Sequence, residues 1–198
     1  MRFSYTAAMS EQANLRHLNL HALAVAGSRS DGCAERVLAG AQLDEWFPRL
    51  AAEACEPQGL TEVRWDARPE LRRVAGAEPQ VWMKLDVSAR LMLVCQRCMT
   101  IAPIGIASQR WFRFVADEAV AAAEDDVSDE DVLVLEPRFD LLALIEDELL
   151  MSLPLVPMHD TCPVPVVTQV SDPLFSGSAT ERINPFAELK EKLKLTGG

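Results

Sequence analysis

Positive charge and histidine are both scarce in this sequence: 19 Lys and Arg stand against 30 Asp and Glu, a formal net charge of −11, with three histidines. That balance excludes a protein that wraps nucleic acid over its whole surface, because phosphate binding needs local positive potential. His17 and His21 stand at a metal-compatible helical step, but no zinc-protease glutamate accompanies them, so they read as ordinary local residues. Long apolar runs are missing as well. None approaches the roughly 20 residues that span a bilayer, and Met1 to Ser10 lacks the features of a signal peptide. The expectation is a cytoplasmic protein with no membrane contact. There is no GxGxxG, no Walker loop and no GxSxG elbow. Glu146, Asp147 and Glu148 are consecutive, so a helix points them in different directions rather than pairing them for acid–base work. They read as a solvated helix face, and the chain as a non-enzyme.

What is present suits a globular fold: 49% of residues are apolar and 25% charged. The length allows one domain with a real core, expected over residues 1–170, followed by a linker and short C-terminal helix over 171–198. Cys33, Cys55, Cys95, Cys98 and Cys162 make an odd set. In a reducing compartment they stay free or bind metal. Charge is unevenly placed. Glu62 to Phe114 holds nine bases (Arg64, Arg68, Arg72, Arg73, Lys84, Arg90, Arg97, Arg110, Arg113) against five acids, whereas Asp117 to Asp160 holds fourteen acids against Arg138 alone. Such a pattern is either a solvated surface with local ion pairs or one face meant for RNA or another anionic partner.

The clearest strand runs from Val81, with Val81, Met83, Leu85, Val87, Ala89, Leu91 and Leu93 on one side and Lys84, Asp86, Ser88 and Arg90 on the other. Thr61–Ala67 and Ile104–Val115 read as further strands, the latter closing a hairpin through a turn at Cys95–Pro103. Trp111 is a half-buried sheet aromatic or a base-stacking platform. His17–Gly27 suits a strand or a short helix. Leu43, Trp46, Phe47, Leu50, Ala51 and Ala54 mark an amphipathic helix starting near Pro48. Ala116–Asp131 has no apolar face and reads as a mobile loop, and Val132–Leu135 as a short strand. Phe139, Leu142, Ile145 and Leu149 line a helix that starts near Asp140 and stops at Pro154. Proline-rich extended chain follows, and a last helix, Pro185–Leu195, is capped by Asn184. The fold class is α+β: an antiparallel sheet, open or barrel-like, with a few helices packed on it.

Cys95-Gln96-Arg97-Cys98 places two thiols on one turn, half of a tetrahedral zinc site, and His159-Asp160-Thr161-Cys162 repeats the spacing. Cys95, Cys98, His159 and Cys162 are therefore candidate ligands of a structural zinc. Against this, Cys95 shares the apolar register of its strand and reads equally as core. A redox CxxC wants a strand-to-helix setting, which these flanks do not offer.

Three blocks together resemble a known family. CQRC after a long alternating strand, DLLALIEDELLMSLPLVPMHDTC, and NPFAELKEKL appear in the order seen in the YceD family. The middle block is met by Leu141, Leu142, Ile145, Glu146, Asp147, Glu148, Leu149, Leu150, Pro154, Pro157 and His159, and NPF by Asn184, Pro185 and Phe186. The resemblance implies a part in the synthesis, processing or stability of 23S ribosomal RNA, in ribosome biogenesis in the cytoplasm, and no established enzymatic activity. Two expectations follow. In the first, Arg90, Arg97, Arg110 and Arg113 give phosphate contacts to precursor rRNA or an assembly intermediate. In the second, the acidic helix at Glu146–Glu148 and the NPF helix recruit a ribosomal protein or assembly enzyme without touching RNA.

Overall fold

Two-residue alternation in the middle of the chain builds a sheet with one covered face. The computed structural model describes residues 14–26, 36–39, 43–73, 76 and 78–165. Within these, β1 (Arg36–Ala39), β2 (Leu60–Arg72), β3 (Gln80–Val94), β4 (Ile101–Val115) and β5 (Asp131–Val134) form one sheet in the order β1-β2-β3-β4-β5. The first three pairings are antiparallel, and β5 lies parallel to β4. The alternation predicts an antiparallel sheet and leaves barrel closure open; the structure is an open, mixed α+β sheet. Parallel neighbours need a crossover, and residues 116–130 supply it.

That crossover is where the sequence misleads most. Ala116–Asp131 reads as a loop, yet α4 spans Glu118–Asp125. (The preceding helices are α1, Leu20–Ala26; α2, Leu43–Trp46; and α3, Pro48–Glu53; α5 is Leu141–Met151.) Asp117 caps α4 by accepting from Val120 N at 3.0 Å, and three consecutive alanines supply the propensity. Ala121 alone buries against the fold. A helix with so narrow an apolar contact leaves little periodicity to detect.

Other differences have similarly local causes. β2 extends through Pro69 and β4 begins before Pro103. Each proline lies beyond the reach of the short outer strand: β1 pairs only with Glu62–Trp65, and β5 only with Phe112–Val115. Both prolines therefore sit on edge segments that need no N–H donor. The expected helix around Pro48 is two short turns broken at Phe47, whose φ of −129° is not helical. Proline takes the first position of the second turn, where its missing N–H costs nothing. Of the expected strand or helix over His17–Gly27, Leu20–Ala26 forms α1, with Asn19 Oδ1 accepting from Ala22 N at 2.9 Å.

The covered face of the sheet meets α1, α2, α3 and α5 in one core. Trp65 is fully buried, 6.5 Å from Trp46 and 6.1 Å from Phe47. Phe114 and Phe139 meet edge to face at 5.3 Å. Burying each such ring contributes roughly 2–3 kcal/mol. On the opposite face Trp82 and Trp111 meet at 6.4 Å, with the Arg72 guanidinium 4.0 and 4.2 Å from their ring centres. Trp111 is thus a half-buried sheet aromatic whose cation partner comes from its own chain. Among the described residues no helix is long and apolar enough to cross a membrane. The compact unit carrying the sheet runs from Met1 to Val164, and a second unit is Pro165–Gly198. The expected linker, its Asn184 cap and the helix Pro185–Leu195 lie outside the described residues.

Candidate metal centre

The β3–β4 hairpin turn presents the CxxC pair. Cys95 N donates to Thr100 O at 2.9 Å, Met99 N donates to Cys95 O at 2.8 Å, and Met99 takes a left-handed φ of +58°. After α5 the proline-rich chain returns across this turn, where Gln96 N donates to Pro157 O at 2.9 Å. His159 and Cys162 arrive beside Cys95 and Cys98, and the four ligand atoms all lie within 4.8 Å of one another. All three thiols are free. The setting is strand to strand, not the strand-to-helix frame of a redox CxxC.

The spacing fits a tetrahedral ion. Metal–sulfur and metal–nitrogen bonds of about 2.3 and about 2.0 Å give tetrahedral edges of about 3.8 Å between sulfurs and about 3.5 Å from sulfur to nitrogen. Cys95 Sγ and Cys162 Sγ are 3.9 Å apart, and Cys98 Sγ is 3.4 Å from His159 Nδ1. The other ring nitrogen, Nε2, lies 3.1 Å from the Ile101 carbonyl. A carbonyl only accepts, so Nε2 carries the proton and Nδ1 turns its lone pair toward the thiols. Electrostatics favour thiolates at Cys95 and Cys98, and not at Cys162. Burial pushes the Cys95 thiol up, but the backbone N–H groups of His159, Cys98 and Arg97 and the His159 ring outweigh it and bring it down to about 5. The Thr100 hydroxyl lowers Cys98, and bonding to Cys95 raises His159. Burial raises Cys162, against an opposing hydrogen bond from Arg97. Cys95 is fully buried as the core reading expects, and it is a ligand candidate as well.

The four candidate arginines do not share a surface. Arg90 and Arg113 point from the open face of the sheet, Arg110 from the covered face, and Arg97 sits in the turn. At about 3.3 Å per residue, Arg90 lies roughly 26 Å along the hairpin from Arg113, since it faces Gly105. Arg113 is buried, ion-paired with Glu124 and with Glu130 at 2.7 Å, and bonded to Ser128 at 2.9 Å. Arg110 pairs with Asp131 at 2.7 Å and Glu148 at 3.3 Å. Arg97 Nε donates to Cys162 Sγ at 3.0 Å, and its terminal nitrogen donates to the His159 carbonyl at 2.8 Å. Arg90 is exposed, with no side-chain partner among the described residues. Of the rest of the basic stretch, four are matched pair by pair along their strands, Arg64 with Glu62, Arg68 with Asp66, Arg72 with Glu70, and Lys84 with Asp86, while Arg73 is exposed with no side-chain partner among the described residues.

A family model described as large ribosomal RNA subunit accumulation protein YceD matches residues 83–194. The chain belongs to the YceD family. Searches of curated proteins and of solved structures found no match. The YceD match covers most of β3, all of β4, the four candidate ligands and α5, and the family description links the chain to accumulation of the large ribosomal RNA.

Within that YceD region two of the three acids of α5, Glu146 and Glu148, are not the solvated face their spacing suggests. Glu146 is buried and reaches the start of α3, where its Oε1 accepts from Arg49 N at 2.7 Å and Leu50 N at 3.1 Å. It caps a helix that has no side-chain cap of its own. Its other oxygen pairs with Arg49 Nε at 2.9 Å, and Asp147 takes Arg49 NH1 at 2.6 Å. Glu148 accepts from Ser108 at 2.8 Å and faces Arg110. Glu146 and Glu148 are structural braces, while Asp147 stays exposed as the spacing suggests; sequence reading missed the braces because their partners are 97 and 40 residues away. The one available signal was a run of three acids on a helix whose apolar positions flank it on both sides.

Proposed function

We propose that this YceD protein supports accumulation of large-subunit rRNA as a non-catalytic adaptor that works through protein contacts, with its hairpin turn held by a structural zinc ion. The observation that supports protein contact over direct RNA contact is the pairing of the basic stretch. A phosphate track needs several free cations on one surface, whereas six of the nine bases here pair with carboxylates. Free acidic charge gathers around α4, where Glu118, Asp126 and Asp129 have no side-chain partner among the described residues. Such a surface favours basic ribosomal or assembly proteins. The factor works in the cytoplasm, where thiols stay reduced. Direct contact with precursor rRNA retains the support of two exposed bases without partners among the described residues, Arg73 and Arg90.

Zinc fits the donor set because three thiolates and one imidazole close a four-coordinate site with no position for substrate. Its contribution is to fasten the chain after α5 to the β3–β4 turn. Crosslinking in cells, followed in parallel by proteomics and RNA sequencing, tests the adaptor. Proteins without rRNA are expected in the crosslinked fraction. Recovery of rRNA fragments crosslinked to β3 or β4 would refute it. Native mass spectrometry of the purified protein is expected to show one zinc per chain, absent from Cys98→Ser.

A further inference from the structure

We propose that Arg97 is a positioning residue of the metal centre, balancing its charge and fixing Cys162 in the ligand set. The inference rests on the zinc reading above. Three thiolates, a neutral imidazole and a divalent ion carry a net charge of −1, in a chain that is already strongly anionic. Arg97 supplies the missing positive charge from inside the CxxC turn itself. Its Nε donates to Cys162 Sγ at 3.0 Å. Its NH2 donates to the carbonyls of His159 at 2.8 Å and Asp160 at 3.4 Å. One guanidinium therefore touches the fourth ligand directly and grips the backbone on the path from the third to the fourth.

The geometry explains why arginine stands here. Cys162 comes from irregular chain with no strand or helix to hold it, unlike Cys95 and Cys98 on the hairpin. A planar fork reaches a sulfur and two carbonyls at once, which the single ammonium of lysine cannot do with the same geometry. Outer-sphere donors of this kind orient a ligand and tune the metal's hold on it. No acid competes for Arg97 among the described residues, in contrast to Arg110 and Arg113.

The test compares the full chain with Arg97→Ala, Arg97→Lys and Gln96→Ala, each loaded with zinc. Zinc affinity is read by competition with a chromophoric chelator, and alkylation of Cys162 in the loaded protein by mass spectrometry. Arg97→Ala is expected to lose about 10–100-fold in zinc affinity and to alkylate faster at Cys162 than at Cys95 or Cys98. Arg97→Lys should recover part of the affinity, and Gln96→Ala should match the parent. Replacing zinc with cobalt adds a spectroscopic readout, because loss of a donor to Cys162 shifts the sulfur-to-cobalt charge-transfer band. Parent-like affinity and parent-like Cys162 protection in Arg97→Ala would overturn the inference while leaving the zinc site standing. A parent protein that binds no zinc would overturn both.

Discussion

Replacing Glu146 with alanine tests the claim that an acid in the family's most distinctive block is a brace rather than a recruiting surface. The side chain is 6% exposed and accepts three hydrogen bonds from Arg49 and Leu50. Alanine removes the cap from α3, a loss of about 0.5–2 kcal/mol. It also strands the Leu50 N–H in the core, which costs about 1–3 kcal/mol for a buried donor without a partner. Arg49 is half exposed, so its guanidinium rehydrates and adds little. The expected total is about 2–4 kcal/mol, which lowers Tm by roughly 5–12 °C in a chain of this size. Glu146→Gln keeps one acceptor and should lose about half as much. Asp147→Ala is the control, because that pair is 52% and 55% exposed and is worth about 0–1 kcal/mol. Urea unfolding followed by circular dichroism measures all three. Equal midpoints for Glu146→Ala and Asp147→Ala would refute the brace.

Two further outcomes follow from charges on the open face. Arg113→Ala should destabilise by about 1–3 kcal/mol, because it leaves Glu124 and Glu130 converging on an empty, buried position, while Arg90→Ala should leave the urea midpoint unchanged; reversal of that order would contradict the buried pairing. Burial pushes the Asp86 carboxyl up, but hydrogen bonds from Gln109 and Lys84 outweigh it and hold it below its ordinary 3.8. A lowered pKa contributes stability that is present above 3.8 and fades as acid protonates the folded protein. Asp86→Asn should therefore flatten the fall in stability below about pH 4, measured by urea midpoints from pH 5 to 2.5, and an unchanged slope would exclude that role.

The elements with one dry face were legible in the sequence. Val81 to Leu93 reads directly as β3 because every second residue is buried. The helix after Asp140 reads from Ile145 and Leu149 together with its cap. Where burial is narrow, as for α4 with Ala121 alone, composition outweighed position and the helix was illegible. The cluster of candidate ligands was legible as two matching spacings, because short loops fix such geometry locally. Nothing in the sequence revealed what the arginines face. Arg110 and Arg113 differ by three positions, which in a strand puts them on opposite sides, and their partners come from α5 and the α4–β5 segment. Charge counts by segment register neither side nor partner.

The four tryptophans divide evenly between the two sides of the sheet. Trp46 and Trp65 meet at a tilt in the dry interior, while Trp82 and Trp111 cradle a guanidinium at the wet surface. Their emission is thus sorted by location: a blue-shifted pair watches the packing of the helices, and a red-shifted, quencher-accessible pair watches whatever approaches the exposed strands. Anything that binds over β3 and β4 announces itself optically, without a label, and separately from any loosening of the core.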